Sequence, residues 1–221
     1  MTKPLIIFGT GDIAELAYAY FQNDSDYEVV AFTVDAAFME HDFFFDLPVY
    51  AFEDLSSKFA PADHAVFVAM SYSGLNAHRR DKYLAAKSMG YEIASYISSR
   101  ATVLNNGQIG ENCFILEDNT IQPFVTIGNN VTLWSGNHIG HHSTIKDHVF
   151  IASHVVVSGG VTVEEECFIG VNVTLRDHIT IGARCVLGAG ALMLADAEPE
   201  GVYMEKGSER SRVPSSKLRR I

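Results

Sequence analysis

A formal net charge of −11 over 221 residues argues against a nucleic-acid or membrane-surface partner. No apolar run approaches the roughly 18 residues of a bilayer span. A hydrophobic share of 48% against 19% charged suits a soluble globular protein with room for two modest domains.

Met1–Pro4 leads straight into an apolar run, so no secretory leader is expected and the protein reads as cytoplasmic. Pro4–Phe8 is a short strand ending at Gly9. Gly9-Thr10-Gly11-Asp12-Ile13-Ala14 follows, then a helical pattern through Leu16, Ala17, Ala19, Tyr20 and Phe21. Tyr27–Thr33 is the second strand, with Asp35 just past its end. His64–Met70 is a further strand, Ser71–Gly74 a turn, and Asn76–Met89 a helix with a basic face of Arg79, Arg80, Lys82 and Lys87. Tyr91–Tyr96 is the last strand. Strand and helix alternate over residues 1–96, which predicts a small open α/β domain with a parallel sheet.

The G-x-G-x-x-A run has the form of a dinucleotide-binding fingerprint. Glycine allows the tight turn and a close backbone approach, and the helix N-terminus attracts phosphate. The domain is one mononucleotide-sized half, so a pyrophosphate-bearing mononucleotide, such as a nucleotide sugar, is expected rather than NAD. Gly9, Thr10, Gly11 and Asp12 are the phosphate candidates. Asp35 and Ser71 are weaker candidates for ribose and base, and Arg80 is counted with the substrate-binding residues.

From Ile97 the character changes. Every sixth residue, from Ile97 through Ile115, Leu133, Ile151, Ile169 and Leu187 to Met193, is aliphatic or Met without exception. The positions four residues on are mostly small or β-branched, with Asn119 and Asn137 as polar exceptions. A period of six fits neither a helix nor a simple strand, and is the hexapeptide signature of a parallel β-helix over 97–195. Cys113, Cys167 and Cys185 all fall at the small interior position and read as packed thiols. No residue is inserted in the repeat, so no loop leaves it to build a pocket. The tail, 196–221, carries Arg210, Arg212, Lys217, Arg219 and Arg220.

The two halves together resemble the bacterial nucleotide-sugar N-acetyltransferases and their sialic-acid O-acetyltransferase-like relatives. These join a small Rossmann-like N-terminal domain to a left-handed β-helix with three hexapeptides per coil. The resemblance implies a homotrimer that acylates a nucleotide-linked amino deoxysugar with acetyl-CoA, for a surface polysaccharide or glycan. Acetyl-CoA would lie between adjacent β-helices and the nucleotide in the N-terminal domain. Transfer to a sugar hydroxyl is the alternative.

The chemistry is expected in Trp134–Ile145. Amine acylation needs a base, and histidine titrates near neutrality. His142, His148, His154 and His178 each lie three residues after an aliphatic position, and read as pointing different ways. His141 lies two after Ile139, with Gly159 one coil on. The family's catalytic histidine aligns with His141, and its cofactor contacts align with Gly159, Val171 and Ala189. Related enzymes often carry an acidic residue directly after that histidine, where this chain has His142. A second family histidine aligns with Phe150. A γ-class carbonic anhydrase, also a β-helix trimer, would need zinc-binding histidines, but its His-x4-His spacing is missing, so no metal is expected. A non-catalytic nucleotide-binding scaffold is the remaining reading.

Overall fold

Lys3–Phe8 forms β1, Asp12–Asn23 α1 and Tyr27–Val34 β2. The computed structural model describes residues 2–208, 210, 212 and 214–217. Phe43–Phe44 (β3) and Leu47–Ala51 (β4) form a hairpin that the sequence reading passed over, and Leu55–Lys58 is a one-turn α2. Ala65–Val68 is β5, Ala77–Ser88 is α3 and Glu92–Ile93 is β6. The sheet order is β3-β4-β2-β1-β5-β6, with only β3 antiparallel. Without β3, the order is 3-2-1-4-5, five of the six strands of the doubly wound sheet, so the domain crosses the switch point and exceeds the single mononucleotide half expected from its length.

The predicted strand Tyr91–Tyr96 is two strands. β6 pairs with β5, whereas Tyr96–Ile97 pairs with Phe114–Ile115 and opens the next domain. Ala94 and Ser95 between them hand the chain from one sheet to the other. Ser95 holds that step by donating to Gly110 O and accepting from Cys113 N–H.

From Tyr96 to Met193 the strands are two residues long, and each up to Thr174–Leu175 pairs in parallel with the residues 18 further on, as Thr120↔His138 and Ile121↔Ile139. Three stacks result, making a left-handed β-helix of triangular section. The outward residues give each face its character. One is largely aromatic (Tyr96, Phe114, Phe150 and Phe168, with Thr132 and Val186). One is mixed (Thr102, Thr120, His138, Val156, Thr174, Leu192). The third is a threonine ladder (Thr126, Thr144, Thr162, Thr180). The sixth-residue positions and those four further on fill the prism, and Cys113, Cys167 and Cys185 are free and fully buried there. Burial pushes the thiols of Cys113 and Cys167 up to about 12. The pattern runs out of core at its start: Ile97 is 39% exposed.

From Asn106 to Gly190 every corner turns through a left-handed residue three after the aliphatic one. Asn112, Asp118, Asn130, His142, His148, His154, Asn172 and His178 all have φ between 52° and 64°. Glycine, Asn and Asp tolerate that region best, and His is enriched there too. Beyond Met193 the chain stays on the prism. Ala197 bridges Ile181, and Val202–Tyr203 pairs with Val186–Leu187 in a register of 16. Arg219 and Arg220 of the basic tail lie outside the described residues.

The N-terminal domain packs on the aromatic face. Phe114 meets Tyr20, Phe67 and Tyr96 at ring separations of 5.4–5.8 Å. The corner between the threonine and aromatic faces adds a polar column. Asn112 bonds both the N–H and the carbonyl of Val68 and donates to Asn130, which bonds His148. Glu166 in the same column takes Arg184 at 2.7 Å and Arg80 of α3.

Candidate functional site

Two places hold the predicted residues. The first is the switch point of the α/β sheet, between the ends of β1 and β5, where ligands of such sheets bind. Gly9 has φ +123°, and a Cβ there would meet Ala69 O at 2.7 Å, so the turn requires glycine. Gly11 is different. It caps α1 at φ −99°, and a Cβ there would meet nothing within 4 Å. The fold does not demand glycine at 11, and the space beside it is open. Gly11, Asp12, Ser71 and Tyr72 line a cleft of 580 Å³. The first N–H groups of α1 face no intrahelical partner. Asp12 and Glu15 already place acid in that turn, so a phosphate there would be held by backbone N–H groups and not by net charge.

Thr10 lines a neighbouring cavity of 260 Å³ with Phe38, His41, Phe43 and Phe44, aromatics of the β3 hairpin region that no periodicity in the sequence marks. Asp35 is bonded to Lys82 Nζ at 2.5 Å. Arg80 is not part of the cleft lining. Its guanidinium is engaged by Glu166 and Asp81, so its placement is that of a clamp between α3 and the β-helix.

The second place is the corner joining the mixed and threonine faces. His141 is exposed there, and its ring lies over Gly159. A Cβ on Gly159 would fall 2.6 Å from Cε1 and 2.8 Å from Nε2. Among the described residues the Gly159 N–H forms no hydrogen bond, whereas its carbonyl accepts from His178 N–H. His141 N–H is held by Gln122 Oε1 at 2.9 Å. Nδ1 of His141 lies 3.1 Å from Nδ1 of His142. One of those nitrogens must carry the proton and the other the lone pair. His142 is braced by Phe124, ring to ring at 4.7 Å. His178 belongs to this corner as well, two coils beyond His142, with its ring on Gly160. The expectation that it points elsewhere fails because 142 and 178 differ by two full turns of 18. No group of three His, Cys, Asp or Glu able to hold a metal forms among the described residues.

Val171 and Ala189 lie on a different corner, that of the aromatic and mixed faces. They line a cavity with Tyr72, Trp134, Phe150 and Phe168. Like Gly159, each stands two residues after an aliphatic position, and neither N–H is bonded among the described residues. Within one chain, therefore, His141 and Gly159 occupy one corner and Val171 and Ala189 another.

The profile described as bacterial transferase hexapeptide (six repeats) matches residues 106–140, 126–159 and 160–194. A search of curated protein sequences finds no match. Solved structures share the fold over nearly the whole chain. The acetyltransferase domain of PglB from Neisseria gonorrhoeae FA1090 superposes with a TM-score of 0.82 at 22% identity, covering 92% of this chain and 97% of that one. PerB from Caulobacter crescentus, in complex with CoA and GDP-perosamine, gives 0.81 at 21% identity over 93% and 95%. WeeI from Acinetobacter baumannii AYE gives 0.76 at 19% over 91% and 96%.

Proposed function

We propose that this chain of transferase hexapeptide repeats is an acetyl-CoA-dependent N-acetyltransferase of a nucleotide-linked amino sugar, with His141 as general base. One observation carries the reading: an exposed imidazole lies against a bare glycine whose N–H has no hydrogen-bond partner among the described residues. That pairing supplies a base and an oxyanion donor at one point, which is what amine acylation requires. The likeness in fold to PerB, whose complex holds CoA and GDP-perosamine, and the open cleft beside Gly11 support the choice of substrates.

In this reaction the sugar nitrogen attacks the thioester carbon. The C–N bond forms and the carbonyl oxygen gains charge beside Gly159 N–H. Nε2 of His141 takes the proton from nitrogen. The C–S bond then breaks, and the CoA thiolate leaves and recovers a proton from the imidazolium. For Nε2 to hold a lone pair, Nδ1 of neutral His141 must carry the hydrogen, and it donates to Nδ1 of His142. His142 thus does for His141 what an orienting carboxylate would do, without its negative charge. Cys113, Cys167 and Cys185 are inside the prism and carry no acyl group.

The proposed acyl-donor contacts lie on two corners of one prism, so a single pantetheine can meet both only where two copies adjoin. A homotrimer about a threefold axis parallel to the prisms would bring them together, with the base from one copy and the acceptor domain from the next. Thiol release from acetyl-CoA, with nucleotide amino sugars as acceptors, tests the assignment. His141→Asn should lower kcat by about 10²–10⁴-fold with little change in KM for acetyl-CoA. His142→Asn should lower it less. A fully active His141→Asn removes the base from this residue.

A further inference from the structure

β5 outruns its neighbour. β6 ends at Ile93, paired with Val66, and Ala94 N–H bonds Val66 O just beyond it. Val68, two residues on, faces the same way and meets the side chain of Asn112 where a strand would be. Its N–H donates to Asn112 Oδ1 at 2.8 Å, and its carbonyl accepts from Nδ2 at 3.2 Å. A main-chain N–H can only donate, so this bond fixes which end of the Asn112 amide is oxygen. The direction then passes along the column of left-handed corners. Nδ2 of Asn112 donates to Asn130 Oδ1 at 2.8 Å, which leaves Asn130 Nδ2 facing His148 Nδ1 at 3.0 Å. An amide NH2 only donates, so Nδ1 of neutral His148 must offer a lone pair and its hydrogen must sit on Nε2. Turning the amides over cannot reverse the ladder, because Val68 N–H would then face a second donor. Both asparagines are buried, so a broken rung leaves a donor unmet.

What the ladder holds is a wall of the glycine-turn cleft. Ala69 follows Val68, bonds Phe8 O through its own N–H, and lines the cleft with Gly11, Asp12 and Ser71. We propose that His148 is a positioning residue of the acceptor cleft, setting the end of β5 through Asn130 and Asn112 only while its Nδ1 is unprotonated. This rests on the function proposed above, which gives the cleft its ligand. A proton on Nδ1 turns the rung to Asn130 into two donors facing each other. The surroundings decide when that happens. α3 brings the cations Arg79 and Arg80, and the ring of Tyr83 lies 6.0 Å from the imidazole. Asp147 beside it and Glu166 one coil on pull the other way, while Lys146 and Glu165 line the open cavity on the same corner. Burial outweighs them and keeps the imidazole below its ordinary value of 6.5. The ladder is therefore whole at neutral pH and is lost as pH falls through the lowered value. Affinity that requires the neutral form drops by up to about tenfold per pH unit below that point.

Hydrogen exchange reads the ladder without any ligand. On the full chain, protection of Val68 N–H is followed from neutral pH to about pH 5, with Ala69 N–H, bonded to main chain on the other side, as reference. His148→Asn is the companion variant: Asn suits the left-handed corner, and its Oδ1 can accept from Asn130 at every pH. Calorimetry with GDP, UDP and dTDP on both proteins reads the cleft, and comparison at equal pH cancels the titration of the nucleotide's own phosphate. In the wild type, Val68 protection should fall relative to Ala69 by about tenfold for each pH unit below the imidazole's pKa, and in His148→Asn it should hold. The best-bound nucleotide should bind both proteins alike at neutral pH. One unit below that pKa it should bind the wild type more weakly, by up to about tenfold, with Kd for acetyl-CoA the same in both. Val68 protection that is flat with pH in the wild type, or that falls equally in the variant, overturns the proposal. Protection that falls in the wild type alone, with equal nucleotide affinities in the two proteins, makes the ladder structural and overturns the positioning role. If the wild type binds none of the three nucleotides at neutral pH, the cleft assignment fails and the positioning role with it, and Val68 exchange still shows whether the ladder exists.

Discussion

Gly159→Ala separates the geometry of His141 from the stability of the fold. The residue has no left-handed φ, so alanine is compatible with its backbone, and the added Cβ meets the His141 ring and not the chain. The approach would be 2.6 Å, where ordinary contact begins at 3.4 Å, so the imidazole must retreat by about 0.8 Å. A displacement near 1 Å at a reacting group can lower a rate by about 10²-fold. The expected loss in kcat/KM for the acceptor is therefore about 10- to 10²-fold, or roughly 1.4–2.7 kcal/mol of transition-state stabilisation. Because His141 is exposed, its ring can swing away without disturbing the prism. The melting temperature should hold or rise slightly, since Gly→Ala at a compatible site stabilises by about 0.4–1 kcal/mol. Gly160→Ala is the contrast. There φ is +69° and the Cβ would fall 2.4 Å from the His178 ring, so that variant should lose stability. Steady-state kinetics and calorimetric melting on the two variants make the comparison. Wild-type kcat/KM in Gly159→Ala would mean that the position of His141 over residue 159 has no part in the chemistry.

Gly11→Val should fold normally, because nothing lies within 4 Å of its Cβ, yet abolish nucleotide-sugar binding by filling the phosphate space; normal binding by calorimetry would discard the cleft. His148 gives the pH dependence of stability. Burial, helped by Arg79 and Arg80 against the opposing pull of Asp147 and Glu166, holds its imidazole below the ordinary value of 6.5. The folded state therefore binds fewer protons than the unfolded one. The stability contributed is present above pH 6.5 and is lost as pH falls through the depressed value. Replacing His148 by Asn, which suits the same left-handed corner, should flatten this part of the melting-temperature profile; an unchanged slope would place the titration elsewhere. Glu166→Gln removes the carboxylate that Arg80 and Arg184 share, and should destabilise the chain while leaving the affinity for acetyl-CoA in place.

The prism was legible because its period is carried by residues that must be inside it, from Ile115 to Leu187. Its histidines were only half legible. His142, His148, His154 and His178 share their position in the hexad with Asn112, Asp118, Asn130, Gly136, Gly160, Asn172 and Gly190. That set, read as a left-handed corner, would have explained their presence without assigning them a ligand. The shared corner of His142 and His178 follows from the 18-residue turn, which the six-residue reading did not apply to them. Phe43–Phe45 and the β3–β4 hairpin have no alternation, and their place at the sheet edge depends on tertiary contact alone. Arg80 lies on the basic face of α3 beside Lys82. Which of the two turns toward Asp35 and which toward Glu166 depends on the docking of two domains, which local pattern does not encode. The cavity lined by Tyr72 is of the same kind, since its rings come from segments 62 and 96 residues apart (Tyr72, Trp134 and Phe168).

The central claim is that base and acceptor cleft come from different copies of the chain. His141→Asn removes the first and Gly11→Val the second, and each variant alone should be nearly inactive. Co-expressed, purified as mixed trimers and assayed for thiol release from acetyl-CoA, they should regain activity. In either mixed composition one of the three composite sites, about a third, has both an intact His141 and an intact Gly11. Recovery approaching about a third of wild-type kcat is the predicted result. Mixed trimers no more active than either variant would contradict a shared site and return the whole reaction to a single chain.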